Sequence, residues 1–181
     1  MVEGSRIVAY LREARRDELA LARTLRSHIS VAPSGAYRSG LEGYLRETQD
    51  HARRLGRRLT ELGVGPGPLR SGASALRNAG GSMLAWGRGP VNAVRRASPE
   101  SRLLRNAKYS CATEGLVIAT YKALEVVAVN EGDFETAHLA ADIRGDEERM
   151  LEWLRQEIVK LTDPFFRTEL DVADRAESLG L

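Results

Sequence analysis

The chain has one cysteine, Cys111, so it can form neither an internal disulfide nor a cysteine-based zinc site. Aromatic residues are only 6% of it. Arg, Ala, Leu and Glu, all good helix formers, dominate instead, which nearly excludes an all-β fold. No apolar run approaches the roughly 18 residues of a membrane-spanning helix. The opening Met-Val-Glu-Gly-Ser-Arg lacks the apolar segment of a signal peptide. The expectation is a cytoplasmic protein with no membrane span. Glycine-rich phosphate loops are missing as well: in Gly63-Val64-Gly65-Pro66-Gly67-Pro68 the prolines remove amides that a phosphate nest needs. The few histidines, His28, His51 and His138, give no support to Ser-His-Asp chemistry.

What is present fits one soluble domain of 181 residues, 43% hydrophobic and 29% charged. Four segments carry helical periodicity with few breakers. They run from about Ser5 to Val31, Tyr37 to Leu62, Ser98 to Val129 and Asp133 to Leu161. Ala32-Pro33-Ser34-Gly35 and Asn130-Glu131-Gly132 are tight turns, and Asp163-Pro164 is read as the end of the last helix. Two antiparallel hairpins joined by a long crossover make an all-α, ferritin-like four-helix bundle. The expected layout is a bundle over residues 1–162, with the crossover at 63–98 and a C-terminal tail at 163–181.

Acidic residues lie in or beside the apolar stripes. The first helix reads Ile7, Leu11, Ala14, Glu18, Leu21, Leu25, and the third Leu104, Ala107, Cys111, Glu114, Ile118, Tyr121. The fourth reads Ala137, Ala140, Arg144, Glu147, Leu151, Leu154, and the second Leu41, Tyr44, Thr48, His51, Leu55, Leu62, with Glu47 at its flank. At 1.5 Å per residue the four glutamates fall within about one or two turns of one level. A buried carboxylate has to be protonated, paired or bound to a cation. Two-metal carboxylate bundles use one Glu from each of two helices and Glu-x-x-His from the other two. Glu18 and Glu114 suit the single positions, while Glu47 and Glu147 open motifs that continue to Asp50 and Met150 rather than to histidines. His51 lies one place beyond Asp50 and completes the candidate ligand set Glu18, Glu47, Asp50, His51, Glu114 and Glu147.

At these residues the chain resembles the ferritin-like bacterial stress proteins of the YciE/YciF type. Leu11 to Leu25 with Glu18 is similar to that family's opening segment. Tyr44-Leu45-Arg46-Glu47-Thr48 followed by Arg54-Leu55 is similar to its second-helix motif, with Tyr44 where a His is usual. Glu114 to Tyr121 is similar to its third-helix motif, with Gly115 and Val117 replacing a His and a Glu, and Asp146-Glu147-Glu148 matches its acidic pair. The resemblance implies a compact bundle, a homodimer, two iron ions and a stress role.

A second signal is basic. From Leu62 to Pro99 there is no acidic residue, but there are five arginines, Arg70, Arg77, Arg88, Arg95 and Arg96. An anionic partner could bind there through phosphate or carboxylate contacts, without base readout of a specific nucleic acid. Met83-Leu84-Ala85-Trp86 is expected to pack over the bundle or a partner subunit. Two functions follow as expectations. One is a weak or degenerate two-metal site for iron or manganese, with a role in stress or redox protection. The other is a metal-free helical scaffold, its carboxylates neutralised by Arg144 or protons, that binds through the basic connector.

Overall fold

The computed structural model describes the backbone of residues 6–65 and 99–178. It consists of α1 (Arg6–Val31), α2 (Ala36–Glu61), α3 (Pro99–Asn130) and α4 (Phe134–Ser178), with no strand among the described residues. Residues 66–98 of the crossover, with its arginines and Trp86, lie outside the described residues.

Glycine ends two of the helices. Gly63 and Gly132 both have φ near +76°, a conformation that is cheap only without a Cβ. Beyond each, the next amide reaches back five residues, Val64 N to Leu59 O at 3.0 Å and Asp133 N to Ala128 O at 2.9 Å. These bonds satisfy carbonyls that the helix end leaves free. Asp133 then caps α4, accepting from the Thr136 amide at 3.0 Å and from its hydroxyl at 2.6 Å. Arg58 of α2 ties this corner down with contacts to Asp133 (2.7 Å), Glu135 (2.5 Å) and the Thr136 hydroxyl (2.9 Å).

α1 packs on α2 and α3, and α4 packs on α3 and α2, so the helices form a ring. Contacts along the seams show the directions. On α1 and α3, Tyr121 meets Glu18 and Ser110 meets His28; on α2 and α4, Arg58 meets Asp133 and His51 meets Glu147. Both seams are antiparallel, so α2 and α3 run parallel.

Two helices depart from the sequence reading. α4 does not stop at Asp163-Pro164 but continues to Ser178. A proline removes one helical hydrogen bond, and helix-forming sequence on both sides of Pro164 carries the backbone through. On α3 the buried seam is Leu103, Ala107, Ser110, Glu114, Val117, Tyr121, Leu124 and Ala128, one position away from Leu104, Cys111 and Ile118. Those three are only half-buried.

The interior has two apolar blocks. One holds Leu11, Leu55, Leu59, Leu124 and Ile143 with their neighbours. The other holds Leu21, Leu25, Leu41 and Leu103, with Met150 and Trp153 packed against it. A layer of buried polar residues separates them.

Candidate metal centre

Glu18, Glu114 and Glu147 are each 0% exposed, His51 is 2% exposed and Tyr44 is 1% exposed. Each helix contributes to the layer. His51 Nδ1 lies 2.9 Å from Glu147 Oε1 and 3.6 Å from Glu18 Oε1. One ligand atom from each of Glu18, His51 and Glu147 falls within 4.8 Å of the others, close enough for one ion. On the other side of Glu147, Tyr44 Oη lies 3.3 Å from Oε2 and donates to Glu114 Oε1. Tyr121 donates to Glu18 Oε1. Three buried oxygens at this level have no hydrogen-bond partner: Glu18 Oε2, Glu114 Oε2 and Thr48 Oγ1. Orphaned buried acceptors of this kind call for a cation or ordered water.

The electrostatics follow from burial. Leaving water pushes the Glu18 carboxyl up to about 7, and the nearby Glu147 adds to this, against the hydrogen bond from His51. Burial and the adjacent Glu147 also hold Glu114 well above the usual carboxylate range. For His51, burial favours the neutral ring but is outweighed by hydrogen bonds and attraction to Glu147 and Glu18, and its pKa rises to about 10. Without a cation, the layer is therefore held together by protons: a protonated His51 between two carboxylates, and protonated Glu114 beside Tyr44.

Glu47 was expected to point inward, but it is exposed. Asp50 is half-exposed, turned outward and paired with Arg53 at 2.9 Å. The reason is register: the inner face of α2 carries Tyr44, Thr48 and His51, and Glu47 and Asp50 each stand one position off it. The inward pair with the three-residue spacing of Glu-x-x-His is thus Thr48 and His51, with a hydroxyl where the carboxylate would be. Its sequence signal was the stripe itself, in which both residues already stood. In the scaffold reading Arg144 or protons would neutralise the buried carboxylates, and Arg144 does not reach them. Instead it is one place off the α4 seam, where Ile143 is buried, and pairs with Glu125 (3.3 Å) and Glu148 (2.5 Å) near the surface. Sequence reasoning also missed the polar roles of Tyr44 and Tyr121, which it treated as stripe residues.

The residues therefore do not suit a full two-ion set. The second helix supplies Thr48-x-x-His51, the fourth Glu147-x-x-Met150, and Met150 packs into an apolar block. Three carboxylates and one imidazole remain.

Outside the layer, His51 Nε2 lies 3.2 Å from Asp146 Oδ2. Asp146 also contacts Arg149, and Arg54 at 3.9 Å. Asp146, Arg54 and Arg149, with Ala141, Asp142 and Gly145, line a surface depression of about 420 Å³.

Solved structures share the fold. The E. coli stress protein YciF superposes with a TM-score of 0.71 at 17% identity, covering 90% of this chain and 98% of that one. A protein from Xanthomonas campestris pv. campestris matches with a TM-score of 0.70 at 22% identity, covering 91% and 96%. Desulfovibrio desulfuricans bacterioferritin, a protein with a diiron site, matches with a TM-score of 0.67 at 17% identity, covering 87% and 81%. At these identities the likeness shows the fold, a ferritin-like bundle. No curated protein matches the sequence significantly. The model of the family described as Domain of unknown function (DUF892) matches residues 7–166, nearly the whole bundle, and the chain belongs to that family.

Proposed function

We propose that this protein is a ferritin-like bundle that sequesters a divalent cation, iron or manganese, in its buried polar layer, and that it serves in stress protection. The observation that carries this reading is the convergence of Glu18, His51 and Glu147 within 4.8 Å in a fully buried setting. Carboxylate oxygen with one imidazole nitrogen is a donor set that suits ferrous iron or manganese. The orphaned Oε2 of Glu18 supports the same reading, since a cation would satisfy an acceptor that no protein donor reaches. Glu18, His51 and Glu147 would hold the ion. His51 has its second nitrogen held by Asp146, an orientation that fixes the ring. A bound ferrous ion supplies one-electron chemistry, and the two apolar blocks keep bulk water from it. The stress role rests on the kinship with the E. coli stress protein.

A second reading is favoured by the charge of His51. A proton on that ring and another on Glu114 already compensate much of the buried negative charge, so the layer can stand as a metal-free structural core.

Elemental analysis of the purified protein and thermal melts with ferrous iron or manganese separate the two. For the cation reading, added ion raises the melting temperature of the wild type through linkage and leaves Glu18→Ala and Glu147→Ala unmoved. If no ion shifts the wild type, the metal-free core stands.

A further inference from the structure

We propose that the buried layer is a site for one cation rather than two, and that the Tyr44 hydroxyl occupies the place a second cation would need. This rests on the cation reading above and sets its stoichiometry.

The two oxygens of Glu147 meet different partners. Oε1 looks toward His51, at 2.9 Å, on the side where Glu18 also converges. Oε2 lies 3.3 Å from Tyr44 Oη, which donates to Glu114 Oε1, and the Glu114 and Glu147 carboxyl groups also share a hydrogen bond, so the phenol oxygen sits against both at the place where they meet. The metals of a two-metal site sit about 3.5–4 Å apart and share ligands. A second ion sharing Glu147 would therefore have to enter the space that the phenol oxygen fills. Tyr44 is 1% exposed and packed among Leu41, Leu21 and Leu25 of its apolar block, so the ring is held in place.

The donors agree with the sterics. The first half of the layer has two carboxylates and an imidazole. The second has Glu114, the far oxygen of Glu147 and no nitrogen, because Met150 stands three residues after Glu147. A thioether is a poor ligand for a hard cation. Thr48 puts a neutral hydroxyl at the other place where a bridging carboxylate is needed. In formal charge, Glu18 and Glu147 balance one divalent ion, leaving Glu114 alone against a second.

The test is the number of manganese ions bound per chain, by equilibrium dialysis with metal analysis, read beside the electron paramagnetic resonance spectrum of the loaded protein. The wild type is expected to bind one ion in the layer, with the spectrum of an isolated ion. The double variant Tyr44→Phe/Met150→His is expected to bind two, with the spectrum of a coupled pair. Should the double variant not fold, Tyr44→Phe alone, which keeps the ring, is expected to bind a second ion at least tenfold more tightly than the wild type does. Two coupled ions in the wild type would overturn the inference while leaving the cation reading intact. A folded double variant that still binds one ion, or a Tyr44→Phe protein no better than wild type, would also overturn it. A tyrosinate-to-iron absorption band in the ferric-loaded wild type, lost in Tyr44→Phe, would make Tyr44 a ligand and overturn it too. A wild type that binds no ion overturns both readings together.

Discussion

His51 Nε2 lies 3.2 Å from Asp146 Oδ2, while its Nδ1 faces Glu147 at 2.9 Å, so one imidazole spans from the surface depression to the buried layer. A carboxylate on the far nitrogen fixes ring orientation and raises the basicity of the near one. Asp146→Asn should therefore weaken cation binding about 10–100-fold. Isothermal titration with manganese measures this, and an unchanged affinity would show that Asp146 does not orient the ring.

The pH dependence of the cation-free protein has a definite sign. Glu18 is raised from 4.5 to about 7 and His51 from 6.5 to about 10, so between about pH 4.5 and 10 these groups bind more protons folded than unfolded. Stability then falls as pH rises. The attraction of charged His51 is fully present below its unfolded value near 6.5 and is lost as pH passes through 10. The cost of burying Glu18 as a carboxylate grows from about pH 4.5 to 7. A melting temperature lower at pH 9 than at pH 5 by about 5 °C or more is expected. Manganese should narrow the gap, because ligation displaces these protons and strengthens with pH. Melts at pH 5, 7 and 9 check it, and the slope should shrink in His51→Gln.

Gly40 lets α4 approach α2. A Cβ built there would run into the Trp153 ring at Cζ2, and the same indole stacks on Tyr37 at 5.8 Å and 14°. The clash is with a rigid, packed ring, so Gly40→Ala should destabilise the protein by about 1–3 kcal/mol. Urea unfolding measures the loss. Trp153 emission, read alone in a Trp86→Phe background, should shift as the ring is displaced.

Arg58 joins α2 to the start of α4 through Asp133, Glu135 and Thr136, with its side chain only 11% exposed. Arg58→Ala removes charge-assisted bonds and leaves the capping Asp133 without its cation. A loss of about 2 kcal/mol is expected. Arg58→Lys should recover only part of it, since an ammonium cannot reproduce the fork. Chemical denaturation of the three proteins provides the comparison.

The four helices and the turns between them were legible, apart from the end of α4, because their signals are local: helical period, and Gly63 and Gly132 where φ turns positive. Three of the buried carboxylates were legible because each interrupts an apolar stripe. The fourth expected one, Glu47, is exposed instead, because Glu47 and Asp50 copy the expected spacing one residue off the buried face, and a step of one residue turns a side chain by about 100°. On α3 the seam was ambiguous for a different reason. Leu116, Val126 and Val129 are also apolar and lie outside, at 47%, 46% and 49% exposure, so composition does not tell inner from outer face there. The proton bridges of Tyr44 and Tyr121 are contacts between helices, and no periodicity within one helix reveals them.

Nearly every polar contact in the middle layer joins the α1/α2 hairpin to the α3/α4 hairpin: Tyr44 to Glu114 and Glu147, His51 to Glu147, and Tyr121 to Glu18. Leucines and alanines above and below would tolerate a slide of one heptad with modest loss. The layer would not, since a shifted hairpin would set three carboxylates against apolar side chains, with no donor and no water. The polar layer thus works as an alignment key for docking. Hydrophobic burial brings the two halves together, and the carboxylates, their two phenols and one imidazole admit a single axial register between them.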